Sequence, residues 1–306
     1  MNPAFKDIPN SFNWIKVEEV NKGWSKDKKY YVHTDDDTSL LLRTSDITMF
    51  NRKKQEFEEI RQLEKMGLIM SRPMDFGVCN EGHSVYGLYT WVEGEDAQQV
   101  IPHLTVNQQY HLGIEAGQSL RTMHQIPAGD GRQSWAESYN AKIDMYISNY
   151  YACGIPLKGA NRLVDYISHN RHLLENRPQS FQHGDYHIGN MIVTPSGSLG
   201  IIDFNRMGHG DPWQEFNRIS WCAGQSHSFA SGRINGYFHN QVPDLFFKLM
   251  ALYVASNQLS SIHWAIPFGQ EEVKNMLERA EQVLEWYDGF RTYIPNWYKP
   301  DSSTLS

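Results

Sequence analysis

The stretch His183-Gly184-Asp185-Tyr186-His187-Ile188-Gly189-Asn190 and the acid ending Ile201-Ile202-Asp203 set two carboxylates and one amide at short spacing along the chain. Transfer of a phosphoryl group from a nucleoside triphosphate asks for such a set. One carboxylate must orient an attacking hydroxyl and take its proton, while an amide and a second carboxylate hold the metal ions that neutralise the phosphates. Asp185 is the candidate for the first role, and Asn190 and Asp203 for the second. Magnesium suits those ligands, because it prefers hard oxygens and keeps several waters. Between Asn190 and Asp203 the chain reads Met191-Ile192-Val193, then Thr194-Pro195-Ser196-Gly197-Ser198, then Leu199-Gly200-Ile201-Ile202. Two short strands joined by a hairpin turn are expected there, with the three groups at its mouth.

The order Asp185, Asn190, Asp203 resembles the protein-kinase catalytic loop and its metal-binding Asp. Gly184, where protein kinases carry Arg, and the Gly210-Asp211-Pro212 stretch resemble the aminoglycoside phosphotransferase family. The resemblance covers roughly residues 20–223 and is strongest over 182–213. It implies an α+β, bilobal protein-kinase-like fold. A small β-rich N-lobe with one helix, residues 1–92, would bind the nucleotide. A larger, mainly helical C-lobe, residues 93–306, would hold the catalytic loop, metal site and acceptor pocket. The implied activity is transfer of the γ-phosphoryl group of ATP or GTP, with Mg2+, to a hydroxyl of a small molecule. That acceptor is an antibiotic of the aminoglycoside or macrolide type, or else a metabolite such as an amino alcohol or sugar. A non-catalytic nucleotide-binding protein is a further alternative, against which the complete Asp185, Asn190 and Asp203 set weighs. The brief run from Asp203 to Asp211 leaves no room for a peptide-docking activation segment.

The resemblance also assigns supporting residues. Gly23 and Ser25, in the turn from Asn21 to Lys29, become phosphate neighbours. Arg43 stands where kinases place the phosphate-holding Lys of the third strand, with Glu56 on the following helix as its partner and Glu58 and Glu59 as rivals; Lys28 and Lys29 are the alternative cations. Thr90 and Val92 fall at the hinge, where backbone groups can meet the nucleobase edge. His187 occupies the place of a Lys that points at the γ-phosphate, where it either donates a hydrogen bond or packs. His183 is expected to pin the loop, and Asp211 to cap the next helix or brace the loop. For the acceptor, the inserted helices over 134–176 and the segment after Pro212 supply Glu215 and Asp144 as candidate carboxylates, with Glu137, Trp264 and Trp286 as further candidates.

These groups need a scaffold, and the chain can build one. Its 306 residues are 40% hydrophobic and 13% aromatic, enough for a sizeable core. Strands are expected over 14–20, 29–34 and 39–43, a helix from residue 47 or 51 to 66, and a hairpin pairing 74–78 with 85–89. Helices follow over 107–124, 138–151, 160–174, 244–260 and 271–286. A net charge of −7 disfavours a nucleic-acid partner. No apolar run reaches the length of a membrane span, so no membrane partner is expected. The polar N-terminus and three scattered cysteines, Cys79, Cys153 and Cys222, fit a cytoplasmic protein with reduced thiols.

Overall fold

The computed structural model describes residues 3–21 and 27–300. The chain forms two compact units, Met1–Asp96 with Asn190–Arg206, and Ala97–Gly189 with Met207–Ser306. The single cut expected after residue 92 is thus corrected. The boundary falls after Asp96, and the hairpin carrying Asn190 and Asp203 belongs with the N-terminal unit, because its strands pair there.

In chain order the elements begin with strands β1 (Trp14–Glu19), β2 (Lys28–Thr34) and β3 (Ser39–Asp46), helix α1 (Phe50–Glu64), and strands β4 (Pro73–Cys79), β5 (Ser84–Thr90) and β6 (Glu95–Asp96). Helices α2 (Ala97–Val100), α3 (Val106–Met123), α4 (Trp135–Cys153) and α5 (Ala160–Asn170) come next. Strands β7 (Ser180–Gln182), β8 (Met191–Val193), β9 (Leu199–Ile201) and β10 (Gly208–Gly210) follow, then α6 (Ile219–Ala223), α7 (His227–Phe238), α8 (Asp244–Ala265) and α9 (Gln270–Trp286). The result is a mixed α+β chain, with a β-sheet N-terminal region and a helical C-terminal region.

In the first unit the sheet order is β1-β2-β3-β5-β4, and every neighbour is antiparallel. Alternation along β3 turns Leu40 and Leu42 to one face, where they pack with Val32, Leu88, Phe5, Ile8 and Trp14. The opposite face carries α1, whose Phe57 ring lies 5.4 Å from Phe76 and 5.6 Å from Tyr89. Arg43 and its cross-strand partner Lys29 project on that second face. The β8–β9 hairpin forms as expected, closed by the Thr194 N–H on the Ser198 carbonyl at 2.9 Å, with β8 also pairing β6.

The second unit is built around buried helices. Helix α3 starts at a capping box between Thr105 and Gln108. It meets α7 through four glycines. A Cβ at Gly113, Gly117, Gly232 or Gly236 would sit 2.2–2.3 Å from a carbonyl oxygen of the other helix. Main chain therefore lies against main chain. The sequence reading did not anticipate α7, whose Ser- and Gly-rich segment has low intrinsic helix propensity and is held by packing. Among the described residues no helix is long and apolar enough to cross a membrane.

Gly117→Ala is expected to destabilise the protein by at least about 1–3 kcal/mol, the usual cost of overpacking. Gly129, with nothing within 4 Å of its hypothetical Cβ, is the control. Thermal unfolding of both alanine variants checks this; equal midpoints would mean the seam can relax.

Candidate active site

The catalytic-loop candidates lie in the second unit, after β7, which pairs with β10. The loop is held from beneath. Glu215 is buried, and its carboxylate accepts the backbone N–H of His183 at 2.7 Å and that of Gly184 at 2.9 Å. Gly184 has φ of 80°, in the left-handed region that favours glycine, which accounts for its place here. The His183 ring accepts the Asp185 N–H at 3.2 Å and meets the Tyr186 ring edge-on, while the Tyr186 hydroxyl donates to the Ala116 carbonyl at 2.7 Å. Tyr186 thus ties the loop to α3, and His183 supports it from within the loop.

The Asp185 side chain forms an ion pair with Arg218 and lies 3.4 Å from His187 Nε2. His187 accepts the Gly189 N–H on Nδ1 at 3.1 Å, and its ring is 5.2 Å from Trp221. Burial pushes the Arg218 guanidinium down to about 10, so it remains charged at neutral pH. Arg218 went unnoticed in the sequence, where nothing local marks it. Asp211 is fully buried and takes two N–H groups of Arg177 at 2.8 and 2.9 Å, the Tyr253 hydroxyl at 2.6 Å and the Trp213 N–H at 3.0 Å. It caps the helical turn Pro212–Arg218 that carries Glu215 and Arg218.

Both carboxylates proposed for the acceptor are engaged elsewhere. Glu215 is enclosed and committed to the loop backbone, a bracing role and not a substrate-facing one. Asp144, on α4 with a side chain 66% exposed, pairs with Arg171 at 2.7 Å. Glu137 takes the Ser134 hydroxyl at the start of α4. Trp286 is a buried aromatic against His227 and Trp297, and Trp264 packs on Phe268.

The metal and nucleotide candidates lie in the first unit. Asn190 accepts the Ile202 N–H on its carbonyl at 3.1 Å, closing the hairpin end. Asp203 has φ of 66°, an uncommon conformation for a residue with a Cβ. Its carboxylate meets Lys29 Nζ at 2.9 Å and Arg43 Nη1 at 3.4 Å. The expected Arg43–Glu56 pair does not form. Arg43 Nη2 instead reaches Asp27 at 2.7 Å, and Lys53 bridges Asp27 at 2.8 Å and Glu56 at 2.9 Å. Asp27, interposed between β3 and α1, takes the place assigned to Glu56. Burial alone would raise the Asp27 carboxyl, but Arg43, Lys53 and Ser45 beside it bring it below its ordinary value.

Thr90 is tied to Arg72 through its N–H and its hydroxyl, both at 2.9 Å, and the Trp91 N–H reaches the Ser39 carbonyl. Val92 follows directly in the chain. Gly23 and Ser25 lie outside the described residues. Among the described residues no cluster of three or more His, Cys, Asp or Glu side chains could hold a metal. Asn190 and Asp203 could supply an amide and a carboxylate oxygen, the hard donors that magnesium takes when phosphates and waters complete its shell.

The family model for the phosphotransferase enzyme family matches residues 16–246, and the chain belongs to that family. Comparison with curated protein sequences gives no match. Solved structures share the fold. A thermostable mutant of aminoglycoside phosphotransferase APH(4)-Ia aligns at a TM-score of 0.64 and 14% identity, over 89% of this chain and 94% of that one. The amicoumacin kinase hAmiN aligns at 0.62 and 14%, over 94% and 92%. A choline/ethanolamine kinase family protein from Mesorhizobium loti aligns at 0.65 and 15%, over 91% of each chain.

Removing Glu215 would strand two buried N–H donors, each worth about 1–3 kcal/mol when left unsatisfied. Glu215→Ala should therefore lower the unfolding midpoint and turnover together; raised acceptor KM at unchanged stability would point to substrate binding instead. Burial raises the Glu215 pKa from 4.5 to about 7. Its stabilising contribution is then fully present below about pH 4.5 and lost as pH rises through about 7. Unfolding free energies of wild type and Glu215→Gln across that window should converge or cross as pH rises, and a constant difference would refute the shift.

Proposed function

We propose that the protein transfers the γ-phosphoryl group of ATP or GTP to a hydroxyl of a small molecule in the cytoplasm. The observation that carries this reading is the Asp203 carboxylate, at the end of a hairpin, with Lys29 and Arg43 on its two oxygens. A metal-binding acid flanked by cations is what a triphosphate site requires. Asn190 and Asp203 would hold magnesium, which when bound would neutralise charge on the phosphates. Thr90 and Val92 would frame the nucleobase, and Gly23 and Ser25 the phosphates.

Asp185 orients the acceptor hydroxyl and receives its proton. Its pairing with Arg218 fixes the carboxylate in place, which suits a loose transition state that needs alignment of the nucleophile more than early deprotonation. His187 steadies that carboxylate from the side opposite its own hydrogen bond to Gly189.

The acceptor proposed is an antibiotic, with an amino alcohol or sugar as the alternative. Relatives in fold include an amicoumacin kinase and a choline/ethanolamine kinase family protein. A polycationic aminoglycoside loses the support of Glu215 and Asp144, since both are committed to other partners.

A panel of hydroxylated acceptors, screened for ATP and GTP consumption, tests the reading. With the responsive acceptor, Asp185→Asn and Asp203→Asn should each lower turnover by at least about 100-fold. Asn is the better probe at 185, because its amide oxygen can still accept from the Arg218 guanidinium, whereas Ala offers it no acceptor. EDTA should abolish turnover. Either variant keeping more than about a tenth of the wild-type rate, against that expected loss, would move the role to another residue.

A further inference from the structure

Two cations converge on Asp203, and they come from neighbouring strands. Lys29 on β2 and Arg43 on β3 stand directly opposite each other in the antiparallel register. They are not equivalent. Arg43 holds Asp27 at 2.7 Å and Asp203 only at 3.4 Å. Asp27 is in turn fixed by the Ser45 hydroxyl at 2.7 Å and by Lys53 at 2.8 Å. A guanidinium held on a largely buried, ionised aspartate would take away one of that acid's two cations if it swung aside. Lys29 meets Asp203 at 2.9 Å, with a side chain 11% exposed. Its ammonium is a compact head with three donors on a flexible stem, so it can keep one partner and take another.

We propose that Lys29, and not Arg43, is the cation that grips the phosphates of the nucleotide, while Arg43 holds Asp27 and sets the position of Asp203. This assignment rests on the phosphotransfer reading above. The charges agree with it. Among the described residues the ion-pair cluster joins four cations, Lys29, Arg43, Lys53 and Arg52, to three acids, Asp27, Glu56 and Asp203, so positive charge is in excess where phosphates would bring negative charge. Phosphate oxygens would compete with Asp203 for Lys29, whose three donors can serve an acid and a phosphate together, with or without a metal ion. The third-strand position has thereby become structural, and the second strand supplies the ligand.

The test is nucleotide binding in EDTA, which separates it from turnover and from the metal. ATP and adenosine are titrated into wild type, Lys29→Ala, Lys29→Arg and Arg43→Ala, with unfolding midpoints recorded for each. Lys29→Ala should weaken ATP about tenfold or more, the loss of a charged hydrogen bond, and leave adenosine unchanged. Lys29→Arg should recover part of the ATP affinity. Arg43→Ala should lower the unfolding midpoint and weaken ATP less than Lys29→Ala does. Unchanged ATP affinity in Lys29→Ala, or equal losses of ATP and adenosine, would overturn the assignment. Wild type that binds neither ATP nor GTP would overturn the phosphotransfer reading itself, and that failure shows before any substitution is made.

Discussion

Glu215 presents both oxygens of a buried carboxylate to consecutive N–H groups, those of His183 and Gly184, and this contact sets where the loop bearing Asp185 begins. Burying a carboxylate is costly unless its lone pairs are met, so the loop and the acid specify one another. The bracing continues outward. Arg233 on α7 donates to the Glu215 carbonyl at 3.0 Å, and its guanidinium lies 4.7 Å from the Tyr186 and Phe216 rings. Asp211, at the head of the same turn, is anchored by Arg177 and by Tyr253 on α8. The chemical loop is therefore placed by the packing of the helical unit, through a short 3-10 turn that touches both.

Four acids with a proposed chemical or organising role already have a cation of their own, whereas Glu215 is met by backbone N–H groups. Asp185 has Arg218, Asp203 has Lys29 and Arg43, Asp27 has Arg43 and Lys53, and Asp211 has Arg177. In this state the buried charges are compensated inside the protein. A ligand entering such a site exchanges one partner for another and does not have to desolvate a bare charge, which keeps reorganisation small. The two aspartates differ in kind. Arg218 presents a planar fork and Lys29 a compact ammonium on a flexible stem, so under the proposed assignment Asp203 is the acid whose partner changes.

What could be read from the chain followed from local pattern. The β8–β9 hairpin, with Asn190 and Asp203 at its ends, is written in two apolar triplets around a turn. The alternation in β3 and the capping box at Thr105 likewise announce themselves within a few residues. The misassignments share one cause. Glu215 meets the loop across 32 positions of sequence, and a buried carboxylate that braces backbone looks the same on paper as one that greets a cationic substrate. Glu56 pairs with Arg43 only by analogy with protein kinases, while Asp27, an acid in an unremarkable turn, takes the contact. Arg218 and α7 carried no local signal, since one depends on burial and the other on a seam between helices.

That seam limits how the protein can change. At most core positions an enlarged side chain can be relieved by trimming its neighbour. Between α3 and α7 the neighbour is a carbonyl oxygen, which every amino acid has. A methyl added at Gly113, Gly117, Gly232 or Gly236 consequently has no second-site suppressor on the facing helix. These four positions cannot drift in compensating pairs, and each is constrained alone. Since Arg233 lies on α7 between Gly232 and Gly236, that rigidity reaches Glu215 undiluted.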